Sequence, residues 1–223
     1  MGATGGIVVK ESGEVNFEPI TSSVSAWESG IRNNEVQANI EHGALFDSNG
    51  NPIIGYRGDE HSVAVDNRVL NLTDGSFTHY HPDKTFGGTL SMADLGVFAK
   101  SQLKELRAVS NSGQLYAVRA GENVDREGLA KWVRTNNALS QKNFERSYRS
   151  ALKQATTPLK SGPHKGQVKL VNRTTGKVVY RDPMTKAQAV RYARQYSTGM
   201  FDRMYQKALS KYGVTYVATK AGK

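Results

Sequence analysis

The chain has 223 residues, no cysteine and a formal net charge of +10. The lack of thiols excludes disulfides, thiolate zinc ligands and cysteine nucleophiles, and fits a reducing, cytoplasmic setting. No apolar run approaches the ~20 residues that span a bilayer, and residues 1–10 lack the basic-then-apolar order of a secretory signal, so no membrane role is expected.

The charge is unevenly divided. Residues 1–123 carry nine Lys and Arg against fifteen Asp and Glu, a balance of −6, whereas residues 124–223 carry 21 against five, a balance of +16. Such asymmetry predicts two units with different partners, the second attracted to nucleic acid or another polyanion.

Residues 1–20 are Gly-rich and weakly patterned, and are expected to be a flexible leader. Thr21, Ser22 and Ser23 can cap a helix to about Asn33, with Val24, Trp27 and Ile31 on its apolar face. A first strand is expected over Ala38–Phe46. The turn cluster Asp47-Ser48-Asn49-Gly50-Asn51-Pro52 folds it back into a second over Ile53–Tyr56. His61–Val65, Val69–Leu72 and Ser76–His81 read as further strands. Ser91 opens a helix in which Leu95, Phe98, Ala99, Leu103 and Leu106 recur at helical spacing. Leu115–Val118 reads as another strand. Strands, a helix and a strand predict an α/β or α+β layer with a mixed sheet. A second unit is expected from near Gly121: a long basic helix over Arg126–Thr156, a linker over Thr157–Lys165, a hairpin over Gln167–Arg181 that turns at Arg173-Thr174-Thr175-Gly176, and a last helix from Thr185 to about Tyr212, stopped by Gly213. The Lys220–Lys223 tail is expected to be disordered.

His79-Tyr80-His81-Pro82, followed by Ser91 and Asp94, carries the chemistry. Residues i and i+2 of a strand share a face, so His79 and His81 can converge on one ion while Tyr80 turns away. Gly87-Gly88 lets the chain turn, and Asp94 falls on the first turn of the next helix, where the dipole favours a carboxylate. Two imidazoles, a carboxylate and an open position for water are a zinc donor set. A proton acceptor is also needed. Glu41, in Ile40-Glu41-His42-Gly43-Ala44-Leu45, lies on a strand able to neighbour that of His79, and Gly43 on the same face is expected to leave it open. Glu60 is the rival acid, in a loop. Two other readings stay open: the histidines as surface residues, and Ser91-x-x-Asp94 as an ordinary capping box. Arg191, Arg194, Tyr192 and Tyr196 interleave cations with aromatics, which suits either polyanion binding or a helix that buries its tyrosines.

The order Glu41-x-Gly-x-Leu45, Thr78-His79-Tyr80-His81-Pro82 and Ser91-Met92-Ala93-Asp94-Leu95 resembles the JAMM metalloproteases, also called JAB or MPN+, over roughly residues 22–120. The resemblance implies a zinc peptidase or isopeptidase in which His79, His81 and Asp94 bind Zn2+, Glu41 is the general base and Ser91 steadies the oxyanion. Nine residues separate His81 from Ser91, slightly more than is usual in the family, and Tyr80 stands where eukaryotic members commonly have Ser or Thr. The expected architecture is a leader over 1–20, a JAMM-like mixed β-sheet flanked by helices over 21–122, and a basic, mostly helical domain with a β-hairpin over 123–223. The expected activity is hydrolysis of a peptide or isopeptide bond in a protein or peptide substrate, with the basic domain as the targeting element. The alternative is a non-catalytic phage structural or assembly protein with the same fold. It rests on a likeness to JAMM-like segments of head-morphogenesis proteins, with the basic half on nucleic acid.

Overall fold

The computed structural model describes residues 6–33, 39–82, 89–111, 113–171 and 177–220. In chain order they form β1 (Gly6–Val9), β2 (Phe17–Glu18), α1 (Val24–Asn33), β3 (His42–Phe46), β4 (Pro52–Arg57), β5 (Ser62–Val65), α2 (Asn67–Asn71), β6 (Ser76–His81), α3 (Met92–Lys100), β7 (Glu105–Ser110), β8 (Gln114–Ala120), α4 (Arg126–Thr156), β9 (Val168–Val171), β10 (Val178–Arg181), α5 (Lys186–Leu209) and β11 (Val214–Lys220). They fall into two compact units: residues 1–136 with 205–223, and residues 137–204. The chain leaves the first unit along α4 and re-enters it along α5.

The first unit is α/β, built on a seven-stranded mixed sheet in the order β11-β8-β7-β6-β3-β4-β2. β6 and β7 run parallel and the other neighbours antiparallel. A parallel pair requires a crossover, and α3 supplies it. Strand alternation sorts the residues by face. Ala44, Phe46 and Tyr80 turn toward α1 and pack on Trp27 and Ile31. Gly43 pairs with His79, so Gly43, Leu45, Phe77, His79 and His81 turn to the opposite face, where α3 lies.

Helix α1 is fastened to the sheet by charge as well as by its apolar stripe. Arg107 on β7 donates from Nε and Nη2 to the two carboxylate oxygens of Glu28 at 2.7 and 2.9 Å, and Thr78 Oγ1 donates to Glu28 Oε1 at 2.8 Å. Glu28 is only 5% exposed, so these partners are what make its burial tolerable. Helix α3 is pinned at both ends. Tyr205 Oη donates to the carbonyl of Leu90 at 3.1 Å, and Thr89 Oγ1 shares a hydrogen bond with Tyr216 Oη at 3.0 Å. At its far end Arg126 donates to the carbonyls of Phe98 and Leu103, both at 2.6 Å.

Several expectations are corrected. Of the expected leader over 1–20, residues 6–20 are not loose: β1 pairs with β5, β2 pairs with β4, and Ile7 and Val15 are buried, while residues 1–5 lie outside the described residues. Val69–Leu72 is not a strand, because Asp66 accepts from the Arg68 N–H and caps α2. The helix opened by Ser91 stops at Ser101, whose hydroxyl donates to the Phe98 carbonyl. Leu103 and Leu106 continue the helical spacing only by coincidence: Leu106 faces the core from β7, which the periodicity concealed. Strand β11 also went unread, although Val214 and Tyr216 alternate with polar residues. It pairs along β8, so the sheet includes residues from the chain segment expected to form a separate basic domain. The Gly87-Gly88 turn, the hairpin turn at 173–176 and residues 221–223 lie outside the described residues.

The second unit is mostly helical with a hairpin, β9 pairing antiparallel with β10. Ala151, Ala155, Val168, Leu170, Ala189, Ala193 and Tyr196 form its core. Tyr192 packs against the same clusters, and its hydroxyl donates to the Val171 carbonyl at 3.3 Å. The tyrosines of α5 therefore point inward, while Lys186 and Arg191 are exposed. Among the described residues no helix is long and apolar enough to cross a membrane.

Removing the Arg107 guanidinium strands a buried carboxylate. Arg107→Met is expected to lower the stability of the chain by about 3 kcal/mol in chemical denaturation, and Glu28→Gln added to it is expected to restore part of that loss.

Candidate metal centre

Strand β6 delivers its two histidines as the period of two requires. His79 and His81 share a face, while Tyr80 is buried beneath α1 on the other. Their Nε2 atoms stand 2.8 Å apart. At that distance one Nε2–H donates to the other nitrogen, or a metal ion takes the place of the shared hydrogen. Asp94 completes the group: its Oδ1 is 3.3 Å from His79 Nε2 and its Oδ2 is 3.7 Å from His81 Nε2. Tetrahedral zinc with bonds of ~2.0–2.2 Å holds its donors roughly 3.3–3.5 Å apart. The three observed separations bracket that value. His79, His81 and Asp94 can hold a metal ion.

Asp94 also forms a full capping box with Ser91. The Ser91 N–H donates to Asp94 Oδ2 at 2.6 Å, and the Asp94 N–H donates to Ser91 Oγ at 3.1 Å. The cap and the imidazole contacts coexist, because a carboxylate has about four acceptor positions. A further donor comes from the N-terminal strand: the Ile7 N–H reaches Asp94 Oδ1 at 3.0 Å. Burial alone would raise the pKa of Asp94. The imidazoles of His79 and His81, with the Ser91 N–H, overcome it and hold the carboxyl well below its ordinary range.

Glu41 sits immediately before β3, with its backbone tied to the loop after β4: its N–H donates to the Asp59 carbonyl and its carbonyl accepts from the Gly58 N–H. Its side chain is 0% exposed, and neither carboxylate oxygen meets a hydrogen-bond partner among the described residues. Burial, then the charges of Asp94 and Asp59, push its pKa up from 4.5 to about 10. A carboxyl group so placed is neutral at pH 7 until a cation arrives nearby. His79 Nδ1 likewise has no partner among the described residues.

The sequence-predicted residues therefore converge. His79, His81, Asp94 and Ser91 meet at one place, and Glu41 stands within electrostatic reach of Asp94. The rival Glu60 is exposed in the loop between β4 and β5. The face beside Gly43 is not open, however. A Cβ there would run into the Phe77 ring, which lies over the glycine and stacks on His79 with centroids 6.0 Å apart and planes at 21°. Phe77 was not singled out from the sequence, nor was β1. The β-branched run Ile7-Val8-Val9 was the available signal for β1. No family model, curated protein or solved structure matches this chain.

The raised pKa of Glu41 makes the metal-free protein sensitive to alkali. A carboxyl whose folded pKa exceeds its unfolded value contributes full stability below about 4.5 and loses it as pH rises toward about 10. In EDTA, the wild type is expected to weaken between pH 5 and 9 by roughly 1.4 kcal/mol per pH unit at the steepest. Glu41→Gln is expected to flatten that slope in urea titrations, with a gain of up to about 3 kcal/mol at pH 7.

Proposed function

We propose that the first unit is a zinc-dependent amide hydrolase of the JAMM type, acting on a peptide or isopeptide bond. The observation that carries this is one buried cluster: two imidazole nitrogens and a carboxylate at donor spacing, beside a second carboxyl group that has no hydrogen-bond partner among the described residues. An orphaned buried carboxyl is costly. A dication nearby would turn that cost into a function.

His79, His81 and Asp94 would hold the zinc, with the Ser91 N–H fixing the carboxylate. Zinc, when bound, supplies Lewis acidity that polarises a carbonyl and favours ionisation of water near neutral pH. Glu41, brought to its charged form by the added positive charge, takes the proton of the attacking water and passes it to the leaving amine. Ser91 Oγ accepts from the Asp94 N–H, which directs its own proton away from the helix and toward the oxyanion, a contribution of ~3 kcal/mol when aligned. Phe77, stacked on His79, limits the freedom of that ring.

A second reading concerns the other unit. Residues 137–204 carry fourteen Lys and Arg against three Asp and Glu. Lys142, Arg146, Arg149 and Lys153 on α4 are exposed. With Tyr192 and Tyr196 turned inward, this unit offers charge without an aromatic stacking platform on α5. Charge alone supports sequence-tolerant binding of a polyanion, through which the unit would deliver the hydrolase to its target or, in a non-catalytic assembly role, hold packaged nucleic acid.

Elemental analysis is expected to give about one zinc per chain, lost in His79→Ala and Asp94→Asn. Glu41→Gln is expected to keep the zinc and lower hydrolysis of a linear peptide by ~10²–10⁴-fold. Loss of the metal from that variant would make Glu41 a ligand and remove its role as base. For the basic unit, the affinity of the full chain for single- or double-stranded DNA is expected to fall steeply from 50 to 200 mM salt and to be unchanged in His79→Ala.

A further inference from the structure

β1 is an extended peptide lying directly on the proposed catalytic groups. It pairs in parallel with β5 over Gly6–Val9, and the flanking Gly6 and Lys10 N–H groups donate to the His61 and Val65 carbonyls at 3.0 and 2.8 Å. Its backbone touches Ser91 and Asp94. A Cβ on Gly6 would collide with Ser91 Oγ and stand 2.8 Å from Asp94 Oδ1, while the Ile7 N–H donates to that same oxygen. Gly6 also has φ +139, a conformation open to glycine and rarely to other residues. The alternating side chains behave as in strand addition to a cleft. Ile7 is 3% exposed and Val8 is 41% exposed.

Glu41, His79 and Asp94 are 0% exposed and His81 3%, and β1 lies against Asp94 and Ser91, so no peptide bond of a second molecule reaches the group as it stands. The strand that lies there is weakly fastened. β1 and β5 form a two-stranded sheet separate from the seven-stranded one, and parallel pairs are the less stable kind.

We propose that β1 occupies the substrate cleft: the cleft takes an extended peptide laid along β5 with glycine against Ser91 and Asp94, and the chain's own N-terminal strand fills it in cis. This rests on the hydrolytic reading for its chemistry, though not for the binding itself. The cleft is then closed until β1 is displaced, and a competing peptide must match its narrow glycine position and the buried pocket that Ile7 fills.

The test uses the full chain. Gly6→Val dislodges β1 by collision, and Ile7→Asp does so by placing a charge in the pocket. Release is read by trypsin cleavage after Lys10, and cleft occupancy by fluorescence anisotropy of a labelled Gly-Ile-Val-Val-Lys peptide, with and without zinc. Both variants are expected to be cut at Lys10 at least tenfold faster, to bind the peptide at least tenfold tighter than the wild type, and to keep their zinc. Hydrolysis of linear peptides is expected to rise with them. Faster cleavage at Lys10 with no gain in peptide binding would overturn the proposal. So would loss of zinc or of folding in both variants, since β1 would then be a structural part of the ligand shell. Absence of zinc from the wild type would instead defeat the hydrolytic reading and leave the peptide result to judge the cleft.

Discussion

Asp94 is a charge held where water cannot reach it, and much of the first unit is arranged around keeping it there. Its carboxylate is 0% exposed and is met from three directions: by the imidazoles of β6, by the N–H that opens its own helix, and by the N–H of Ile7. Each donor comes from a different element. The parallel β6–β7 crossover sets α3 over the histidines, the capping box fixes the rotation of the carboxylate, and β1 adds the Ile7 N–H. A buried anion without such partners would shed its charge by taking a proton. Glu41 does just that, because it is buried, its neighbours Asp94 and Asp59 are anions, and its oxygens have no donors among the described residues.

The pair of acids thus divides into one forced to be charged and one forced to be neutral, within a few residues' reach of each other in space. Environments that drive like groups apart are the usual mark of acid–base chemistry. The same contrast shows what a cation would relieve: positive charge would offset the repulsion between Asp94 and Glu41.

Much of this was legible in the sequence. The i, i+2 spacing of His79 and His81 implied a shared strand face, Ser91-x-x-Asp94 implied a helix start, and the long helices and the hairpin of the basic half followed from their periodicity. The capping box and the metal reading were set against each other for Asp94, yet the structure puts the cap and the imidazole contacts on one carboxylate, which accepts from several sides. What stayed hidden was non-local. The Ile7-Val8-Val9 run has no partner visible in sequence, since β5 lies more than fifty residues away. Leu103 and Leu106 imitated helical spacing across a real boundary. Gly43 promised an open face, but the ring that fills it belongs to Phe77 on the next strand of the sheet. The tyrosines of α5 were compatible with either surface or core until β9 supplied something for Tyr192 to pack on.

β11 and the end of α5 have a consequence for how the protein comes into being. Tyr205 and Tyr216 anchor the residues just before Ser91, so the helix start that presents Asp94 is completed by segments made more than a hundred residues later. A growing chain on the ribosome holds all five site residues long before it can brace them. The first unit must wait while residues 137–204 are synthesised, because the hydroxyls of Tyr205 and Tyr216 that brace Leu90 and Thr89 come after them.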